Sequence, residues 1–153
     1  MLISIDPGKH SLGWARFDDE RLTACGLLRW KDWASMAGGM SWMQERLGSE
    51  PSTLIVIEVP QVYRQRFWKG DPNDLIDVAL VAGAAGMIFG PGIKFIRPHE
   101  WKGGRGKNVD HPLTLSRLSS SERVELDKLD VPKSLRHNVL DAIGIGLWKL
   151  GRR

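Results

Sequence analysis

Residues 53–58 read Thr-Leu-Ile-Val-Ile-Glu. Four consecutive aliphatic residues leave no polar alternation, so neither face of this segment can look at water. A run of this length, rich in β-branched residues, suits a central strand buried on both faces, which requires helices on either side of a sheet. The run also ends on a carboxylate, Glu58, with Pro60 just beyond.

The N-terminus repeats the pattern. Leu2–Asp6 is an apolar strand that ends on Asp6 and breaks at Pro7-Gly8. Turns favour Asp for local hydrogen bonding; a metal ligand at the strand end is the sharper alternative, and this residue alone leaves both open. A second strand is expected over Leu12–Phe17, a turn at Asp18-Asp19-Glu20, and a third strand over Leu22–Trp30, together an antiparallel meander. Trp33, Met36, Met40, Met43 and Leu47 then step by 3, 4, 3 and 4, one apolar helical face, with Gly48 as the stop.

After Glu58 comes a loop through QVYRQRFWKG. Asp71-Pro72-Asn73 opens a helix from Asp74 to about Phe89, and Ile93–Ile96 is a fifth strand ended by Arg97-Pro98. The segment HEWKGGRGKNVDHP reads as a mobile basic loop. Ser119–Ser121 with Glu122 caps a short helix, and a last helix starts near Pro132 and runs to the C-terminus. The order β-β-β-α-β-α-β-loop-α predicts an α/β domain: a mixed five-stranded sheet with helices on its faces, in the order of the ribonuclease-H-like fold.

The chain of 153 residues suits one domain, 1–153, with a real hydrophobic core. Its net charge of +4 is uneven: residues 94–153 hold 13 Lys/Arg against 7 Asp/Glu, so a polyanion would meet mainly the second half. One cysteine, Cys25, permits no internal disulfide and fits a reducing cytoplasm. Acidic residues within positions 1–25 and the lack of a long apolar core argue against a secretory leader. The most apolar segment, residues 75–92, is broken by Asp77 and glycines, so neither a membrane span nor a membrane partner is expected.

The last helix offers a third acid. Leu140, Ile143, Leu147 and Leu150 form an apolar stripe, and His137, Asp141, Gly144 and Trp148 an adjoining one. Gly144 and Gly146 would let this helix approach the sheet and turn Asp141 toward Asp6 and Glu58. Clustered carboxylates repel and need a cation; all-oxygen ligation with open positions suits Mg²⁺ or Mn²⁺. A pair of such ions could serve phosphodiester hydrolysis.

With these motifs in place, the chain resembles the RuvC-type Holliday junction resolvases along nearly its whole length. ISIDPGKHSLGWA is similar to the family's opening strand, Asp-Pro-Gly turn and second strand. LIVIE resembles its second acidic strand, VALVAGAAGMIFG its small-residue helix, IRPHEWKGGRGK its basic segment, and DAIGIGLWKL its closing acidic helix. Short length and loose motif spelling resemble a phage-encoded member.

The resemblance implies a Mg²⁺-dependent, structure-selective endonuclease that resolves four-way DNA junctions in recombination and repair, with Mn²⁺ able to substitute and two ions per site. It implies Asp6, Glu58 and Asp141 as catalytic metal ligands and a fourth ligand one turn before Asp141. Asn138 and His137 both reach that face; a neutral imidazole is the better ligand, so His137 is preferred. Lys102 matches the family's active-site lysine. In the family an aromatic wedge follows the second acid as E-x-x-F. Here EVPQVY is two residues longer, making Tyr63 the candidate and Phe67 the reserve. Arg64, Arg66, Lys69, Lys102, Arg105 and Lys107 are the expected DNA-binding cations, and exposed aromatics among them suit unstacked bases. The small-residue helix implies a twofold homodimer, and the compartment is the cytoplasm, of the host if the gene is viral. The rival readings are a less selective nuclease on branched DNA or RNA–DNA hybrid, and a catalytically silent DNA-binding protein. An actin-like ATPase shares the opening strands, but the chain is too short for its two domains.

Overall fold

The structure is a computed structural model and describes residues 1–47, 52–62, 71–90 and 92–152. Strands β1 (Leu2–Pro7), β2 (Ser11–Asp18), β3 (Arg21–Arg29), β4 (Leu54–Glu58) and β5 (Ile93–Ile96) form one sheet in the order β3-β2-β1-β4-β5. β1, β2 and β3 pair antiparallel, and β4 runs parallel to both β1 and β5. The fold is ribonuclease-H-like, as the order of elements predicts.

Side chains alternate across the strands. Ile3 and Ile5 of β1 and Ile55 and Ile57 of β4 face helices α1 (Trp33–Leu47) and α2 (Pro72–Phe89), meeting Met36, Met40, Met43, Val81 and Phe89. Leu2 and Val56 point the other way, toward helix α6 (Arg136–Lys149). Asp6 and Glu58 share the parity of Leu2 and Val56, so both acids emerge on the α6 side. Parallel pairing at a constant offset, Leu2 with Leu54 through Ile5 with Ile57, continues to put Asp6 beside Glu58.

The β2–β3 turn centres on Asp19 and Glu20, both left-handed at φ 48° and 64°, as a two-residue hairpin twisted like its strands requires. Asp71 caps α2 by accepting from the Asn73 N–H, with Pro72 at the first position. The helix thus starts two residues before the expected Asp74.

Several expectations are corrected. The segment read as a mobile loop is largely helical: α3 (Pro98–Trp101) and α4 (Lys107–Ser116), followed by α5 (Ser120–Asp127). Gly103, left-handed at φ 59°, lies between α3 and α4, and Gly106 is the N-cap of α4. The last helix begins at Arg136, after a single 3-10 turn over Lys133–Leu135. It is buried from Val139 through Leu147, not striped, because α3 and α4 cover its outer side. Gly146 packs on Phe17 of the sheet, whereas Gly144 faces Trp101 and Thr114. Finally, α2 has 18 residues and a mean hydropathy of 1.3, so by length and composition it could cross a membrane, contrary to the reading of residues 75–92. It is docked on the sheet through Val81, Ala82, Ala85 and Phe89.

Candidate active site

Three elements bring their acids to one place. Asp6 ends β1, Glu58 ends β4 and Asp141 lies on α6; together with Lys102, Lys107 and Asn138 they line a cleft of about 260 Å³. The seating of α6 follows from the sequence below it. Gly13 is the β2 partner of Asp6, and its missing side chain lets the backbone at Asn138–Val139 lie directly on the strand. One turn further on, the Ser4 hydroxyl donates to the Ala142 carbonyl at 2.7 Å. Asp141 is thereby held over the strand ends at 2% exposure.

Each carboxylate has a different environment. Glu58 accepts a hydrogen bond from the Trp101 indole N–H and lies 3.9 Å from the Lys102 ammonium. Asp141 is gripped at both oxygens: His111 Nε2 lies 3.1 Å from Oδ1, and Lys107 Nζ 3.1 Å from Oδ2. Asp6 is buried beside the other two acids, at 8% exposure. Burial, followed by the charges of Asp141 and Glu58, holds its pKa well above the ordinary carboxylate value, against the weaker pull of Lys107 and Lys102. Burial likewise raises Glu58, while Lys102 and the Trp101 N–H oppose the shift.

The other expected site residues fall as follows. Asn138 lines the cleft and donates to the Ser11 hydroxyl at 2.9 Å. His137 is half-buried near the same charges. Burial first and then Lys107 lower its pKa, against the Ser134 carbonyl and Asp141. Arg105 bonds the buried Asp110 at 2.9 Å. Thus Lys102, Arg105 and Lys107, read from sequence as phosphate contacts, each already meet an acid. Tyr63, Arg64, Arg66, Phe67 and Lys69 lie outside the described residues.

Trp101 and His111 are the contacts that sequence reasoning missed. The one readable signal for His111 is spacing: Lys107 and His111 are four apart, a shared face once the segment is a helix. Among the described residues, no three His, Cys, Asp or Glu side chains stand as a ready-made metal cage, although Asp6, Glu58 and Asp141 line one cleft. The donor chemistry still fits a hard divalent cation: three oxygen-only ligands line one cleft, and the burial and mutual repulsion that raise the Asp6 pKa outweigh the opposing charges of Lys107 and Lys102.

No family model matches the chain. No curated protein matches it by sequence. Solved structures do share its fold. Thermus thermophilus RuvC in complex with a Holliday junction substrate superposes with a TM-score of 0.60 at 16% identity, covering 96% of this chain and 90% of that one. A second structure of Thermus thermophilus RuvC gives 0.56 at 14% identity, covering 99% and 96%. The chain has a RuvC-like fold.

Proposed function

We propose that the chain is a divalent-metal-dependent endonuclease that resolves four-way DNA junctions. The observation that carries this reading is the convergence of Asp6, Glu58 and Asp141, from two adjacent strand ends and the last helix, on one cleft rimmed by Lys102 and Lys107. Asp6, Glu58 and Asp141, with His137 or Asn138 beside them, would hold Mg²⁺ or Mn²⁺, as a pair of ions that bring Lewis acidity and a water of lowered pKa to phosphodiester hydrolysis. Lys102 and Lys107 offer ammonium groups to a phosphate entering the cleft, the Trp101 N–H orients Glu58, and buried Asp6 is kept from bulk water.

The substrate class rests on the shared fold, since one of the similar structures holds a Holliday junction substrate. A homodimer suits paired cuts, because a twofold places two equivalent sites on two equivalent strands. The surface that suits it is the outer side of α2, where Ile76, Leu80 and Met87 are exposed beside Phe95. Cys25 is a buried free thiol, consistent with a reducing cytoplasm, including that of a phage host.

The test is incubation with labelled four-way junction, Y-fork and plain duplex, each with Mg²⁺ and with EDTA. Paired, Mg²⁺-dependent nicks confined to the junction support the reading. Equal cutting of all three substrates identifies a less selective nuclease. Binding without cutting identifies a silent DNA-binding protein.

A further inference from the structure

We infer that His111 is a positioning residue for Asp141: its imidazole N–H holds one carboxylate oxygen from behind the cleft, so that the other is presented to the metal side. The inference rests on the nuclease reading above and adds to it a residue that no motif contributes.

The geometry begins with helix contact. A Cβ on Gly144 would stand 2.7 Å from the Trp101 ring and 3.1 Å from Thr114 Oγ1, so α6 touches α3 and α4 where it lacks a side chain. Thr114 lies three residues after His111, and Gly144 three residues after Asp141. The same step on each helix therefore brings His111 against Asp141, and the 3.1 Å contact follows from that register. The first turn of α4 is fixed separately, by the Arg105 bond to buried Asp110.

The two donors on Asp141 are not equivalent. Lys107 is more than half exposed and lines the cleft, where a cation would compete with it for Asp141 and a phosphate would draw it away. The His111 side chain is 16% exposed, holds the other oxygen, and is not among the residues that line the cleft. A carboxylate that ligates a cation only accepts, so in that role the contact has Nε2 as the donor. With Oδ1 held by a rigid ring, rotation of the Asp141 carboxylate is restricted even when Lys107 is drawn away. Groups that orient a ligating carboxylate in this way tune both metal affinity and rate.

The experiment compares parent, His111→Leu, His111→Gln and His111→Asn, with Asp6→Asn as the control for the nuclease reading. The Gln amide nitrogen reaches the place of Nε2; the shorter Asn does not. Two quantities are measured: single-turnover cleavage of saturating junction, and the Mn²⁺ concentration giving half of the Mn²⁺-induced rise in melting temperature. His111→Leu and His111→Asn are expected to lose about 10–100-fold in rate and to need about tenfold more Mn²⁺, with His111→Gln within about threefold of parent on both. A parental rate and Mn²⁺ requirement in His111→Leu overturns the inference, as does an equal defect in all three variants. If His111→Leu melts below the assay temperature, the Gln–Asn comparison decides alone, a Gln no better than Asn overturning it. If Asp6→Asn cuts like parent, it is the nuclease reading that fails, and the Mn²⁺ melting series still decides the role of His111.

Discussion

Gly13 lies directly beneath Asn138: a Cβ on Gly13 would come within 2.1 Å of the Asn138 carbonyl oxygen. Since Gly13 pairs with Asp6, the closest approach of α6 to the sheet falls beside the first acid. The contact is with backbone, so no rotamer change can relieve it. Gly13→Ala should therefore lift the first turn of α6 and cost about 1–3 kcal/mol, the usual range for overpacking. A fall of several degrees in melting temperature and a loss of junction cleavage are expected. Gly38→Ala is the matched control, because a Cβ there meets nothing within 4 Å on an exposed face of α1. It should stabilise by about 0.5–1 kcal/mol through helix propensity. Identical melting curves for the two variants would show that α6 is not seated on Gly13.

Trp101 links packing to chemistry. Its ring is buried against α6 at Gly144, and its N–H donates to Glu58. That donor favours the ionised carboxylate and opposes the upward shift from burial. Trp101→Phe keeps most of the apolar volume and removes the donor, so the Glu58 pKa should rise further. The acidic limb of the cleavage pH profile should then move to higher pH, with a loss of stability of about 1.5–3 kcal/mol for a hydrogen bond to a charged group. An unmoved acidic limb would mean that the ionisation of Glu58 does not limit the reaction.

What was legible in the sequence was what period and strand ends encode. Continuous apolar runs marked β1 and β4 as buried, each run's terminal carboxylate marked the cleft, and the Trp33–Leu47 spacing marked α1. What was hidden depended on tertiary contact. Gly103, Gly104, Gly106 and Pro112 are loop signals, yet burial of Trp101 and the Arg105–Asp110 bond stabilise helices there. His111 and Asp141 are 30 residues apart, and their meeting depends on the Gly144–Thr114 register, which no local pattern announces. The stripe expected on α6 gives way to burial from Val139 through Leu147 because a helix covered on its outer side needs no polar face. The aromatic at Tyr63 or Phe67 lies outside the described residues and stays a sequence-based expectation.

Glu122 shows what a buried acid looks like when it serves stability. It accepts from the Leu22 N–H at 2.8 Å, from the Ser119 N–H and hydroxyl at 2.8 and 2.9 Å, and from Arg152 at 2.6 and 2.8 Å. The Arg152 bond and these donors hold its pKa down to about 2. A depressed carboxylate contributes stability that is complete above its ordinary pKa near 4.5 and is lost as pH falls toward 2. Arg152→Met should leave the buried carboxylate short of its strongest partner and cost about 3–5 kcal/mol at neutral pH. The deficit should shrink in urea melts as pH is lowered through this window. A constant deficit at all pH values would argue that Arg152 acts through packing alone.

Asp6 is the opposite case, and its sign can be worked out. Burial and the neighbouring acids raise its pKa well above 3.8, so the folded chain holds the proton more tightly than the unfolded chain. Stability then falls as pH rises from the ordinary carboxylate range through the raised value, and at neutral pH the ionised group opposes folding. Asp6→Asn removes that charge and keeps the shape. In EDTA the variant should therefore melt higher than parent at pH 7.5, and the gap should close as pH is lowered toward 4. Divalent ions should reverse the order: Mn²⁺ should raise the parent's melting temperature by binding only its folded state, and should do little for Asp6→Asn. The same variant should retain junction binding, which weakens steeply with added salt as counterions are released, while cutting nothing. Differential scanning calorimetry at three pH values, with EDTA and with Mn²⁺, measures the melting temperatures; a salt titration of junction binding and a cleavage assay measure the rest. A variant that melts below parent in EDTA at pH 7.5 would mean that Asp6 is a stabilising turn residue and not the floor of a metal site.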